Sequence, residues 1–60
     1  MVSVLITGAS RGIGLELVKQ FVGQVDTVIA ACRNPAQATE LNKVAQNEKN
    51  VRILALGMFY

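Results

Sequence analysis

The sequence of 60 residues predicts an α/β fold of βαβαβ order with a three-stranded parallel sheet. Three short apolar runs of strand length are separated by two stretches in which apolar residues recur at helical spacing. A glycine-rich turn joins the first run to the first helical stretch. Helices between strands imply parallel pairing through right-handed crossovers. We therefore expect residues 1–60 to form one half of a doubly wound sheet, a truncated domain.

The first strand and the first helix are predicted from residues 2–23. Residues 2–6 are apolar and mostly β-branched, which predicts a strand buried on both faces. From Ile13 to Val22 the apolar period becomes helical. Gly23 stands where a glycine ends many helices. The core face of this helix is expected to carry Ile13, Leu17 and Phe21, with Val18 and Val22 beside them.

The second half of the unit is predicted in the same way. Val25 to Ala31 is an apolar run of strand length, and Val51 to Leu56 is another. Between them, Asn34 and Pro35 predict a helix start, because asparagine can cap a helix and proline suits its first position. The helix is expected from residue 36 to about residue 46, and residues 57–60 receive no assignment. The thin apolar stripe of this helix comprises Ala38, Leu41, Val44 and Ala45.

Composition and charge exclude several classes of protein. The sequence has one cysteine and no histidine, so it can form neither an internal disulfide nor a Cys/His zinc site, and we expect no metal. Its six basic residues are scattered singly and the net charge is +2, which disfavours binding to nucleic acid. No apolar run approaches the roughly 20 residues that span a bilayer. Residues 1–6 are too short for the apolar region of a signal peptide, so we expect a cytoplasmic protein.

The glycine-rich turn carries the functional signal. Residues 7–14 read Thr-Gly-Ala-Ser-Arg-Gly-Ile-Gly between a predicted strand and a predicted helix, the context that a dinucleotide-binding motif requires. Gly8 permits the tight exit from the strand, Gly12 lets a diphosphate approach the backbone, and Gly14 lets the helix pack closely. The free N–H groups of the first helical turn would face the diphosphate. The alternative is a turn that only connects a strand to a helix.

This motif resembles the TGxxxGxG motif of the short-chain dehydrogenases/reductases in its common form, TGASRGIG. Residues 31–35, Ala-Cys-Arg-Asn-Pro, also resemble the second-strand exit of the carbonyl-reductase and C-factor-like members. The resemblance extends to about residue 56 and implies a partial Rossmann fold, with the chain as its N-terminal dinucleotide-binding segment. It further implies a family activity of NADP-dependent oxidoreduction of carbonyl or alcohol substrates. The candidate cofactor-binding residues are Gly8, Ser10, Arg11, Gly12, Ile13, Gly14 and Arg33.

Charge at the exit of the second strand favours NADP over NAD. NAD sites place an acidic residue at this position to bind the ribose hydroxyls, whereas residues 31–33 contain no acid and Asp26 lies at the other end of the strand. Arg33 can bind the 2′-phosphate, and Arg11 can approach it from the glycine-rich turn. One charge-assisted hydrogen bond contributes roughly 1.5–3 kcal/mol, which corresponds to about tenfold or more in affinity. The alternative is that both arginines are ordinary surface residues.

The resemblance places the catalytic residues of the family outside this sequence. That family uses a tyrosine, a lysine four residues later and an upstream serine, all far beyond position 60. The single tyrosine, Tyr60, has no lysine after it, so we expect no catalytic residue and no turnover by this chain alone. Gly57 stands where the family usually has an adenine-binding aspartate. The alternative to a segment of an enzyme is a non-catalytic product that binds a nucleotide or a partner.

The predicted strand order leaves one edge of the sheet unpaired. In the doubly wound fold the first strand is central, and a fourth strand pairs with it. Without that strand, residues 2–6 form an apolar edge, which is a hazard for association. A domain of 60 residues buries only about 60% of the surface that its unfolded chain exposes. We therefore expect a weakly stable chain that self-associates through this edge or is partly unfolded.

Overall fold

A computed structural model describes residues 2–56 and confirms the βαβαβ order. Residues 57–60 lie outside the described part of the chain, and so do the expectations for Gly57 and Tyr60. No helix between residues 2 and 56 is long and apolar enough to cross a membrane. The elements are β1 (Ser3–Ile6), α1 (Gly12–Phe21), β2 (Thr27–Cys32), a 3-10 turn (Pro35–Gln37), α2 (Thr39–Asn47) and β3 (Val51–Ala55).

The three strands form one parallel sheet in the order β1-β2-β3. Ser3 pairs with Thr27 at the start of β1, and Val28 pairs with Val51 at the start of β3. Since all strands run in the same direction, the loop after β1 and the segment after β2 emerge at the same end of the sheet. Of the described strands only β2 pairs with β1, so the other edge of β1 is free of strand partners within residues 2–56.

One face of the sheet carries the core and the other face does not. The strand side chains of Ile6, Val28, Ala30 and Val51 join Leu41 and other helix residues in a single buried cluster. The opposite face of the sheet exposes apolar side chains, because Leu5 is 60% and Leu54 is 47% accessible. The expectation that β1 is buried on both faces is therefore wrong for the described chain, since no described element covers its second face.

Helix α1 presents a different face to the core from the one predicted. Ile13 is 81% and Leu17 is 38% exposed, whereas Leu15 and Val18 are buried. Both stripes have helical spacing, so periodicity alone could not choose between them. Phe21 and Val22 do pack against the core as partly buried residues. The expected core positions of Ile13 and Leu17 are therefore wrong.

The end of α1 also differs from the expectation. Positive φ angles occur within residues 2–56 at Gly8 and Gly12 only, so Gly23 does not act as a left-handed helix terminator. Instead, Val22 keeps a right-handed helical conformation and its N–H donates to the carbonyl of Val18. The N–H of Val25 donates to the carbonyl of Phe21 at 3.2 Å, which continues the turn toward β2.

The second helix begins later than predicted. Asn34 makes no capping hydrogen bond with its side chain, and Pro35 opens a 3-10 turn of three residues rather than an α-helix. Ala38 then leaves helical geometry, with φ −84° and ψ 69°, and α2 begins at Thr39. Ala38, at this break, is buried in the core. The predicted apolar stripe is confirmed, since Ala38 and Leu41 are buried and Val44 and Ala45 pack against them.

Candidate functional site

The loop between β1 and α1 has a backbone that two glycines make accessible. Gly8 has φ 62° and Gly12 has φ 64°, values that side-chain-bearing L-residues rarely adopt. Between them, the N–H of Ala9 donates to the carbonyl of Ala31 in β2 at 3.0 Å, and Ala9 is fully buried. The loop is therefore fixed to the neighbouring strand as it turns from β1 into α1.

Gly14 sets the distance between this loop and the helix. A Cβ atom built on Gly14 would overlap the carbonyl oxygen and carbon of Gly8. The helix thus approaches the loop backbone more closely than any side chain at position 14 would permit. The same contact directs the neighbouring side of α1, with Leu15 and Val18, toward the sheet.

The first backbone N–H groups of α1 have no hydrogen-bond partner within the helix. Arg11 is the N-cap residue, in an extended conformation, and its side chain makes no capping hydrogen bond. Its carbonyl accepts the N–H of Leu15 at 3.4 Å, so the N–H groups of residues 12–14 precede the first intrahelical bond. The first turn carries no acidic residue. The helix dipole and these donors therefore favour an anion at this end.

An open depression of about 910 Å³ lies beside this helix end, where the strands terminate. Its volume is in the range of small-molecule and cofactor sites. Of the seven residues predicted for the site, Gly8, Ser10, Arg11, Gly12 and Arg33 line the depression. Ile13 and Gly14 do not: Ile13 is exposed on α1, and Gly14 lies against the loop backbone.

The lining of the depression is cationic and contains no carboxylate. Its charged members are Arg11 and Arg33, both exposed. Asp26, the acid at the start of β2, lies at the opposite end of the strand, where its carboxylate accepts the N–H of Val2 at 2.6 Å. Glu16, further along α1, lies 3.5 Å from Lys19. The depression thus attracts anions without competition from a nearby lining acid.

Sequence reasoning did not predict five residues that also line the depression. Cys32 and Leu56 stand where β2 and β3 end, and the N–H of Leu56 donates to the carbonyl of Cys32 at 2.9 Å. Their placement at the carboxyl ends of parallel strands is a signal that could have indicated them. The other three depend on the 3-10 turn, which the sequence did not predict; they are Asn34, Gln37 and Ala38.

Comparison with known proteins agrees with this geometry. Residues 2–58 match the family model described as short chain dehydrogenase. An uncharacterised oxidoreductase of Schizosaccharomyces pombe is 44% identical over 54 residues, which cover 88% of this chain and 21% of that protein. The human WW domain-containing oxidoreductase is 51% identical over 56 residues, covering 92% of this chain and 14% of that protein. The chain thus spans about a fifth or less of the length of these relatives.

Two solved structures share the fold of the described residues. Carbonyl reductase Sniffer of Drosophila melanogaster superposes with a TM-score of 0.86 at 42% identity, over 95% of this chain and 24% of that one. The putative carbonyl reductase Sniffer of Caenorhabditis elegans gives a TM-score of 0.83, also at 42% identity, over 92% of this chain and 23% of that one. The partial Rossmann fold predicted from the sequence is confirmed by these superpositions.

Proposed function

This chain belongs to the short-chain dehydrogenase family, and from that membership we propose that residues 1–60 form the NADP(H)-binding segment of an oxidoreductase. The family implies a nicotinamide cofactor, and the choice of NADP is our inference from the site. The observation that carries it is a depression lined by two arginines and no carboxylate, at an uncapped helix end. The proposed substrates are compounds that carry a carbonyl or alcohol group, because both structural neighbours are described as carbonyl reductases.

The chain's residues fit the diphosphate of such a cofactor. The N–H groups of residues 12–14 have no partner within the helix, and Gly12 adds no side chain to the depression. Open space surrounds the position that a Cβ of Gly12 would take, so a bound group can reach the backbone. We propose that these donors bind the diphosphate, and that the hydroxyl of Ser10 adds a further hydrogen bond.

The selection of NADP is assigned to Arg33 and Arg11. Arg33 follows β2 directly, where NAD-selective sites carry an acid, and both arginines line the same depression. A guanidinium binds a phosphate through paired, charge-assisted hydrogen bonds. The proposal gives Arg33 the leading role, because Arg11 also stands next to the diphosphate donors. Ile13 is assigned a contact with the cofactor from the family resemblance, and its exposure leaves it accessible for one.

When bound, the nicotinamide supplies or accepts a hydride. The residues described here bind and orient the dinucleotide, and we assign none of them a catalytic role. The tyrosine, lysine and serine that the family resemblance implies would stand outside residues 1–60. A cytoplasmic location is part of the proposal, since Cys32 is a free, buried thiol, which fits a reducing compartment.

A second candidate is a module that binds nucleotide or a partner protein without turnover. The exposed apolar side chains of Leu5 on β1 and of Val2 just before it favour this candidate, because an uncovered strand can pair with another chain. Turnover of NADPH with a carbonyl substrate by the purified chain would exclude this candidate. Nucleotide binding without turnover would support it.

The proposal is tested by titrating the chain with NADPH and with NADH while recording backbone amide NMR shifts. We expect shifts at residues 8–14 and at Arg33, with affinity for NADPH higher by about tenfold or more. Arg33→Asp should remove this preference, because it replaces a phosphate ligand with a repelling carboxylate. Lys49→Asp makes the same change in charge on the exposed turn before β3, at the other end of the strands, and should preserve it. An unaltered NADPH/NADH ratio in the Arg33 variant would show that Arg33 is not the selector.

A further inference from the structure

The 3-10 turn after β2 forms one wall of the depression and is held by a side chain outside it. Asn34, Gln37 and Ala38 belong to this segment and line the depression, directly after Arg33. Asn42 of α2 does not line it. The side-chain Nδ2 of Asn42 nevertheless donates to the carbonyl of Pro35 at 2.9 Å, from a partly buried position.

The hydrogen bonds around Pro35 connect the turn to α2. The N–H of Ala38 also donates to the carbonyl of Pro35, at 3.2 Å, and the N–H of Gln37 donates to the carbonyl of Asn34 at 3.1 Å. The backbone N–H of Asn42 donates to the carbonyl of Ala38 at 2.9 Å. The backbone bond is the first hydrogen bond of α2 itself, because Ala38 is the N-cap of that helix, so the side chain of Asn42 makes the contact that reaches the turn, at Pro35.

Besides these bonds to α2, the turn contacts β3, and Ala38 at its end is buried in the core. The side chain of Arg33 is exposed and makes no hydrogen bond or ion pair with other residues between 2 and 56. The backbone that follows Arg33 is restricted in φ at Pro35 and is held by Asn42 at the carbonyl of Pro35. Without the Asn42 side chain, the carbonyl of Pro35 would keep only the N–H of Ala38 as a donor, and the turn would be freer to move relative to the strand ends.

We propose that Asn42 is a positioning residue for recognition of the 2′-phosphate, acting through the 3-10 turn that directly follows Arg33 and Asn34 at the wall of the depression. This inference rests on the proposed NADP(H) binding. It differs from that proposal because Asn42 touches neither the depression nor the helix end that would receive the diphosphate. Loss of its side-chain donor should therefore weaken binding of a 2′-phosphorylated nucleotide and spare binding of its unphosphorylated counterpart.

Asn42→Leu tests the inference, because leucine has a similar shape, lacks the donor and favours helix more strongly than asparagine. The matched control is Asn47→Leu, which makes the same change at an exposed asparagine near the end of the same helix. Binding of NADPH, NADH, 2′,5′-ADP and 5′-ADP would be measured by amide NMR titration on both variants and on the unmodified chain. We expect Asn42→Leu to lower affinity for the two 2′-phosphorylated ligands by about threefold to tenfold, as loss of one hydrogen bond predicts, with little change for the other two.

The outcomes separate this inference from the proposal on which it rests. If the unmodified chain prefers NADPH and Asn42→Leu retains that preference, Asn42 has no positioning role and the proposed function stands. An equal loss for all four ligands, with altered sheet resonances, would assign Asn42 a purely structural role and overturn the inference. A chain that binds no nucleotide, or binds NADPH and NADH equally, would overturn both.

Discussion

The glycines of the loop after β1 are required for different physical reasons. Gly8 and Gly12 adopt positive φ angles in open surroundings, so the backbone conformation is the constraint. Gly14 has an ordinary φ, and the constraint there is space, since a Cβ would overlap the backbone of Gly8. The sequence motif predicted all three positions and the close packing at Gly14, and the structure adds the positive φ angles of Gly8 and Gly12.

Gly14→Ala should therefore destabilise the chain despite the higher helix propensity of alanine. The added methyl must push α1 away from the loop, an overpacking effect of about 1–3 kcal/mol in the free energy of unfolding. Gly23→Ala is the control, because Gly23 has open space and no positive φ, and it should be neutral or stabilising by up to about 1 kcal/mol. Urea unfolding followed by circular dichroism measures both. Equal stability of the two variants would contradict the close contact at Gly14.

In helix α1 the helical pattern of apolar residues does not determine which face is buried. Its sequence contains two apolar stripes, one through Ile13 and Leu17 and one through Leu15 and Val18. The second stripe faces the sheet because Gly14, on the same side, is the residue that allows close approach. Helix α2 has a single apolar stripe, and its buried face was predicted correctly.

Leu15→Ala and Leu17→Ala test this assignment with the same chemical change on one helix. Leu15 is 8% exposed, so its truncation should lower the free energy of unfolding by about 2–5 kcal/mol. That loss approaches the total stability of a 60-residue domain, which is on the order of 3–9 kcal/mol. Leu17 is 38% exposed and its truncation should cost less than about 1 kcal/mol. A larger effect at Leu17, measured by urea unfolding, would mean that the face first predicted from the sequence forms the core in solution.

At the scale of the whole molecule, the described residues form a sheet with one covered face and one open edge. The edge strand β1 contains no charged residue and no proline, the two devices that commonly block pairing between edges. Leu5 is exposed on this strand and Val2 just before it, and Leu54 extends the apolar surface on the uncovered face. Self-association through this edge is therefore our expectation for the purified chain.

Leu5→Lys should reduce that association, because a lysine on an edge strand disfavours pairing with another chain. Leu5 is 60% exposed, so the substitution should leave the free energy of unfolding within about 0.5 kcal/mol of the original value. Gln24→Lys adds the same charge on an exposed turn and serves as the control. Sedimentation velocity over a range of concentrations would report the change. A chain that is already a monomer, with a sharp melting transition independent of concentration, would contradict the expectation.

The sequence by itself determined the order of elements, the glycine positions of the loop and the absence of an acid after β2. These features are local, because apolar runs, turn residues and the charge at a strand end each depend on only a few neighbouring residues. Five of the predicted site residues line one depression, since parallel strands bring their carboxyl ends to one edge; they are Gly8, Ser10, Arg11, Gly12 and Arg33. Their binding of NADP(H) stays a prediction.

Tertiary structure decided which stripe of α1 is buried, where α2 begins and which face of β1 is covered. Each depends on partners distant in sequence: Gly14 meets Gly8 across the loop, and Ala38 packs into a core built from both helices and the sheet. The hydrogen bond from Asn42 to Pro35 arises only once the 3-10 turn has formed against α2. At these positions packing and long-range contacts compete with local conformational preference. The pattern of residues within one segment therefore cannot predict which of them prevails.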